Sequence, residues 1–213
     1  MASAQPQPAY ARTTLSLPKG RFILSHPLTE QDDEPQNALF KSPEFTKYLP
    51  NFNPNPTLQD TIQRRLTQTA DRNTKVFSIR TKDTNEFVGS LGLYRMEHDN
   101  KATEAGLAVF TNKHRSGIAS EALFLLLDHA FTDVDKGGMG FNRVTFVTNA
   151  LNAAMRGWLE KAAGATQEAL FRDAWRDASK DTYFDSVTYA ILKREWEGTS
   201  RKKLLEKVER YFE

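Results

Sequence analysis

The stretch "KHRSGIASEA" at 113–122 follows directly on the strand-like run "EAGLAVF" at 104–110. A chain that leaves a strand through two cations, a serine and a glycine and then enters a helix presents backbone N–H groups beside positive charge. An anion such as a phosphate needs that combination. Gly117 lets the backbone approach such a group where a Cβ would stand in the way. Cysteine is absent from the chain, which excludes disulfides, thiolate metal sites and a cysteine nucleophile.

The elements that must hold this junction are readable from periodicity. "GRFILSHP" at 20–27 reads as a strand stopped by Pro27, and "TEQDDEPQNALF" opens a helix with acids near its start. The loop "LPNFNPNPT" at 49–57 precedes a second helix through "LQDTIQRRLTQTA". "KVFSIR" at 75–80 and "EFVGSLGLYRM" at 86–96 alternate as a hairpin, and "KATEAGLAVF" adds a third strand to that meander. From Gly117 the spacing turns helical through Ile118, Ala122 and Ala130. The glycine-rich "DKGGMG" at 135–140 leads into the strand "NRVTFV" rather than a helix, so a dinucleotide or P-loop reading of it fails on context. A helix through "NAAMRGWLEKAAG" stops at Gly164, and "ATQEALFRDAW" and "SVTYAIL" close the order as an antiparallel pair.

This order predicts an α/β fold, a mixed, largely antiparallel sheet with helices on both faces. We expect an N-terminal tail over 1–19, one domain over 20–197 and an amphipathic helix over 198–213 that serves for docking or dimerisation. The tail lacks acids, as an organellar presequence does, but its prolines and few arginines make a poor amphipathic helix, and a plain tail is preferred. With 29 Lys and Arg against 27 Asp and Glu, spread along the chain, dedicated nucleic-acid binding is not expected. No run approaches a membrane span. The expected setting is the cytoplasm, and the expected state is a monomer or a homodimer.

These residues resemble the GNAT acetyltransferase superfamily, in particular the branch with ribosomal-protein N-terminal and polyamine acetyltransferases. The family's Q/R-x-x-G-x-G/A loop aligns with His114, Arg115, Ser116, Gly117, Ile118 and Ala119, and the branch's Ser/Thr-Glu-Ala with Ser120, Glu121 and Ala122. "EAGLAV" resembles its E-I-G-Y strand, and "DSVTYAILKREW" its D-x-x-x-Y-x-x-L-x-x-E-W ending. "NAAMRGWLEKAAGA" resembles N-x-x-S-x-x-x-x-E-K-x-G-F, aligning Asn152, Glu160, Lys161 and Gly164. His114 stands where Gln or Arg is usual, Met155 replaces the Ser and Ala165 the Phe.

The resemblance implies acetyl-CoA as cosubstrate and a small-molecule or peptide amine as acceptor. It implies that amides from about Arg115 to Ser120 cradle the diphosphate. Leu107, Val109 and Phe110 would run along the pantetheine arm, with a backbone N–H polarising the thioester, and Asn152 would bond a pantetheine amide. Glu104 becomes the first candidate for the base. The usual acid positions hold Leu159 and Met155, which leaves Tyr189, with Tyr183 as the other nearby phenol, or the solvent. Tyr189 reads equally as a core tyrosine. Asp173, Trp175, Asp177 and Asp185 are candidates for the acceptor side. No metal site is expected.

Overall fold

The computed structural model describes residues 7–50, 52–110, 116–177 and 180–212. Eight strands form one sheet in the order β1-β2-β3-β4-β5-β6-β8-β7. They are β1 (Thr13–Leu15), β2 (Phe22–His26), β3 (Lys75–Thr81), β4 (Phe87–Glu97), β5 (Ala102–Val109), β6 (Arg143–Asn149), β7 (Thr166–Asp177) and β8 (Thr182–Leu192). Every neighbouring pair is antiparallel except β5 and β6. The expected architecture is the observed one. The expected tail is different in part, because Thr13–Leu15 pairs with Leu24–His26 as an edge strand.

Alternation along the strands divides the sheet's two faces. Phe77, Ile79, Leu91, Leu93 and Ala105 turn toward α4 (Ile118–Phe131) and make the main core with it. That helix is apolar nearly all round, and its central residues Leu123, Leu126 and Leu127 are wholly buried. The other face of β3 and β4 is covered by α1 (Asp33–Phe40) and α3 (Leu58–Ala70), with the short α2 (Pro43–Thr46) between them. Thr57 caps α3 through a capping box with Asp60. A buried bidentate pair, Arg65 to Asp33, clamps α3 to α1.

After β6, Asn152 caps α5 (Ala153–Trp158), which continues into a π turn over Leu159–Ala163 and ends on Gly164 in the left-handed region. One more residue separates Asn152 from Gly164 than the family spacing has, and the π turn holds it. The chain closes with α6 (Lys193–Glu195), a π turn and α7 (Arg201–Glu209). Trp196 and Leu204 join the core, so the C-terminal helix packs on α4 as part of the domain. No helix among the described residues is long and apolar enough to cross a membrane.

Candidate active site

The parallel pair β5 and β6 is joined only at Ala102–Glu104 against Arg143–Thr145. Beyond that point β5 continues to Val109 on β4, and β6 continues to Asn149 on β8. The two strands therefore diverge into a wedge that widens toward Val109 and Asn149. Phe110 donates its N–H to the Val88 carbonyl of β4. By alternation, the backbone groups of Ala105, Leu107 and Val109 point away from β4 and into the wedge. Polar backbone along an unpaired strand edge needs partners, and an extended amide-bearing ligand supplies them.

At the wide end lies the start of α4. Its first intrahelical bond runs from Glu121 N–H to the Gly117 carbonyl, and no side chain caps it. The N–H groups of Gly117, Ile118, Ala119 and Ser120 thus have no acceptor within the helix, and the helix dipole favours an anion there. The side chains have other tasks. Ile118 is buried in the core, and the Ser120 hydroxyl accepts from Trp158 Nε1 at 3.1 Å, tying α4 to α5. Glu121 is buried and accepts from the backbone of Arg21 and Phe22, which fixes β2 to α4. Burial pushes its carboxyl up. His114 and Arg115 lie outside the described residues.

Gly117 has φ +86°, which favours glycine, but what its missing Cβ would meet is not a ligand. A Cβ there would lie 2.7 Å from Cγ of Tyr211 and 2.9 Å from Nη2 of Arg21. Arg21 donates to the Ser116 carbonyl, and its guanidinium lies 5.7 Å from the centre of the Tyr211 ring. A residue after α7 thus borders the helix start, packed where a Cβ of residue 117 would lie.

Glu104 faces the α1–α3 side, directly across from Tyr94 on β4. The next pair on that face is Gly92 and Gly106, and the Tyr94 ring folds over both: Cβ atoms built at these glycines would lie 3.1 Å from it. Burial pushes the Tyr94 hydroxyl up to about 12, with Arg64 pulling against it and Glu104 adding to it. A bulge follows in β4, where Arg95 takes φ +49° and forms an ion pair with Glu104. Sequence reasoning missed Tyr94 and Arg95. The facing glycines in "SLGLY" and "EAGL" were the available signal for the tyrosine; the bulge leaves none.

Tyr189 is different from Glu104. It is fully buried, and its hydroxyl donates to Glu160 at 2.6 Å, with Arg156 Nε 3.2 Å away. That network locks α5 and its π turn onto β8, and burial raises the phenol further. The position is that of a structural hydroxyl. Asn152 accepts from the Met155 N–H through its side-chain oxygen, capping α5. Nearby, Asn149 at the wide end of the wedge is buried with an Nδ2 that has no partner among the described residues. On the β7–β8 hairpin, Asp185 accepts from the Asp173 N–H, and Asp177 pairs with Lys180. Trp175 lies opposite Phe184 there, and Tyr183 is exposed.

The GNAT acetyltransferase domain model matches residues 21–166, and the chain belongs to that family of acetyltransferases. It is 28% identical over 162 residues to the uncharacterized N-acetyltransferase p20 of Bacillus licheniformis, covering 75% of this chain and 86% of that one. It is 26% identical over 175 residues to the uncharacterized N-acetyltransferase YoaA of Bacillus subtilis, covering 81% and 94%. Among solved structures, RimJ of Mycobacterium smegmatis in complex with CoA-disulfide superposes with TM-score 0.73 at 19% identity, covering 94% of this chain and 97% of that one. Spermidine N-acetyltransferase of Vibrio cholerae in complex with CoA and spermine gives 0.73 at 14% identity, covering 84% and 99%. These last two establish likeness of fold.

Proposed function

We propose that the protein transfers an acetyl group from acetyl-CoA to a primary amine by direct attack in a ternary complex. The wedge between β5 and β6, opening onto the bare start of α4, is the observation that carries this reading. The amides of Gly117 to Ser120 take the diphosphate, and those of Leu107 and Val109 run along the pantetheine arm and acetyl carbonyl. Asn152, and beside it Asn149, donate to pantetheine amides.

The acceptor must reach the acetyl carbon as a neutral amine, because an ammonium has no lone pair. Glu104 stands on the acceptor face and takes the ammonium proton, directly or through one water. As the new C–N bond forms, the C–S bond breaks; the nitrogen sheds its second proton to solvent, and the thiolate, a fair leaving group, is protonated from the same solvent. Tyr189 has no part in that step, being committed to Glu160. Tyr94 keeps its proton throughout the working pH range and serves as a hydrogen-bond donor lining the site.

A second reading, an acyl-CoA-binding module without turnover, is favoured by the lack of an acid at Met155 and Leu159 and by the commitment of Tyr189. Titration calorimetry with acetyl-CoA, combined with CoA release over a panel of amines, separates the two. Binding with release supports the transferase; binding without release on any amine supports the module, and no binding removes both.

A further inference from the structure

The start of α4 is reached by a side-chain cation from a distant part of the chain. Arg21, the residue before β2, is exposed, and its Nη2 donates to the carbonyl of Ser116, 95 positions away in sequence. The same nitrogen lies 2.9 Å from the place that a Cβ of residue 117 would take. A Cβ stands about 2.5 Å from its own backbone nitrogen, so Nη2 is at most about 5.4 Å from the nitrogen of Gly117, whose N–H has no acceptor within the helix. One oxygen that accepts from two donors at about 2.9 Å each bridges a gap of up to about 5.8 Å. The separation between guanidinium and helix start is therefore one that a phosphate spans.

Aromatic rings hold the guanidinium in place. Its central carbon lies 5.3 Å from the centre of the Phe22 ring and 5.7 Å from that of Tyr211. Tyr211 follows α7, whose Leu204 and Val208 are buried in the core, and its Cγ lies 2.7 Å from the same Cβ place at residue 117. Rings take up the flat surfaces of a guanidinium and leave its N–H edge for an anion. One edge N–H goes to Ser116, and Arg21 forms no ion pair among the described residues. Glu121 is the carboxylate whose charge acts on it. That group is buried, and its two oxygens accept from the main chain of Arg21 and Phe22 at 3.2 and 3.1 Å. It also feels Lys82, which donates its backbone N–H to the Arg21 carbonyl and its Nζ to that of Leu17. Glu121 thus anchors the Arg21 backbone and leaves the guanidinium edge for a ligand.

Resting on the transferase reading, we propose that Arg21 binds a phosphate of acetyl-CoA together with the amides at the start of α4, and that Tyr211 braces it there. The phosphate belongs either to the diphosphate or to the 3′-phosphate of the same cosubstrate; both offer a guanidinium the same charged oxygens. The residues after α7 thereby become part of the cosubstrate site.

Titration calorimetry of the full chain with CoA and with 3′-dephospho-CoA, at low and high salt, tests this. Arg21→Gln weakens CoA by about 10- to 100-fold, the range for hydrogen bonds between charged partners. The loss shrinks as salt rises, because the contact is exposed to screening. Arg21→Lys, which keeps the charge without the fork, recovers part of the affinity, and thermal unfolding of both variants checks that the fold stands. An equal loss with CoA and dephospho-CoA assigns Arg21 to the diphosphate; a loss confined to CoA assigns it to the 3′-phosphate. Parental affinity in Arg21→Gln, or a loss that salt does not change and Lys does not recover, overturns this inference and leaves the transferase standing. A parent chain that binds no CoA overturns both.

Discussion

Two clusters of ionisable groups sit on opposite faces of the same meander, and the sheet treats them differently. On the α4 face, Lys75 Nζ contacts His129 Nε2 at 3.1 Å, under the rings of Tyr10 and Phe77 and near His26. All three are almost fully buried, and no carboxylate is paired with them in a salt bridge among the described residues. Burial lowers Lys75 to about 8 and, together with the Lys75 charge, lowers His129 to about 4. On the α3 face, Tyr94 lies over two glycines, Glu104 beside it is half-buried and paired with the exposed Arg95, and Arg64 is exposed. Large aromatic side chains seal the first cluster, whereas in the second the missing Cβ atoms of Gly92 and Gly106 make room for the Tyr94 ring and leave the Glu104–Arg95 pair at the surface. Buried charge alone therefore does not mark the site; access does.

The strongest way to break that contrast is Glu104→Gln. With the base on the open face, kcat falls about 100-fold or more, while thermal unfolding stays near that of the parent. A kcat within threefold of the parent would remove Glu104 from the chemistry.

The sealed cluster should show itself in stability rather than in turnover. Between about pH 4 and 6.5 the unfolded chain binds a proton at His129 that the folded chain refuses, so stability is full above 6.5 and is lost as pH falls toward 4. The shift corresponds to about 3 kcal/mol. Urea unfolding at pH 7.5, 5.5 and 4.5 reads it, and His129→Gln should flatten the slope in that window. An unchanged slope would mean the histidine is not held neutral. Lys75 follows the same sign higher up, since its stabilising contribution is lost as pH falls from about 10.5 through 8. Lys75→Met is therefore expected to raise stability at pH 7 by about 1 to 3 kcal/mol.

Smaller effects sharpen the picture at the wedge. Gly117→Ala places a Cβ against Tyr211 at positive φ; the expected loss is about 1–2 kcal/mol, with weaker acetyl-CoA binding by calorimetry. Tyr211→Ala relieves that contact and loosens Arg21 from the helix start, for an expected few-fold loss in acetyl-CoA affinity, on the order of 0.5–1 kcal/mol. If the affinity does not move, the tyrosine is only packing.

Much of this was legible before the structure. The succession of strands and main helices along the chain from residue 20 onward, the switch to helical spacing at Gly117 and the stop at Gly164 follow from local periodicity and from glycine's freedom at positive φ. The edge strand at Thr13–Leu15 was not legible, because three polar or half-exposed residues form a strand only when β2 offers its hydrogen bonds. Tyr189 was readable as a phenol, but its engagement by Glu160 depends on α5 packing over β8.

The sequence by itself determined most of the elements from residue 20 onward, the absence of thiol chemistry and the family motifs, since these rest on residue type and near-neighbour spacing. Only the tertiary structure decided which groups meet across the fold. It seated Tyr211 on Gly117, turned Arg95 by a bulge onto Glu104 and laid Tyr94 over a pair of glycines from adjacent strands. Such contacts join residues far apart along the chain or depend on strand register, and register and packing are set by burial of the whole core.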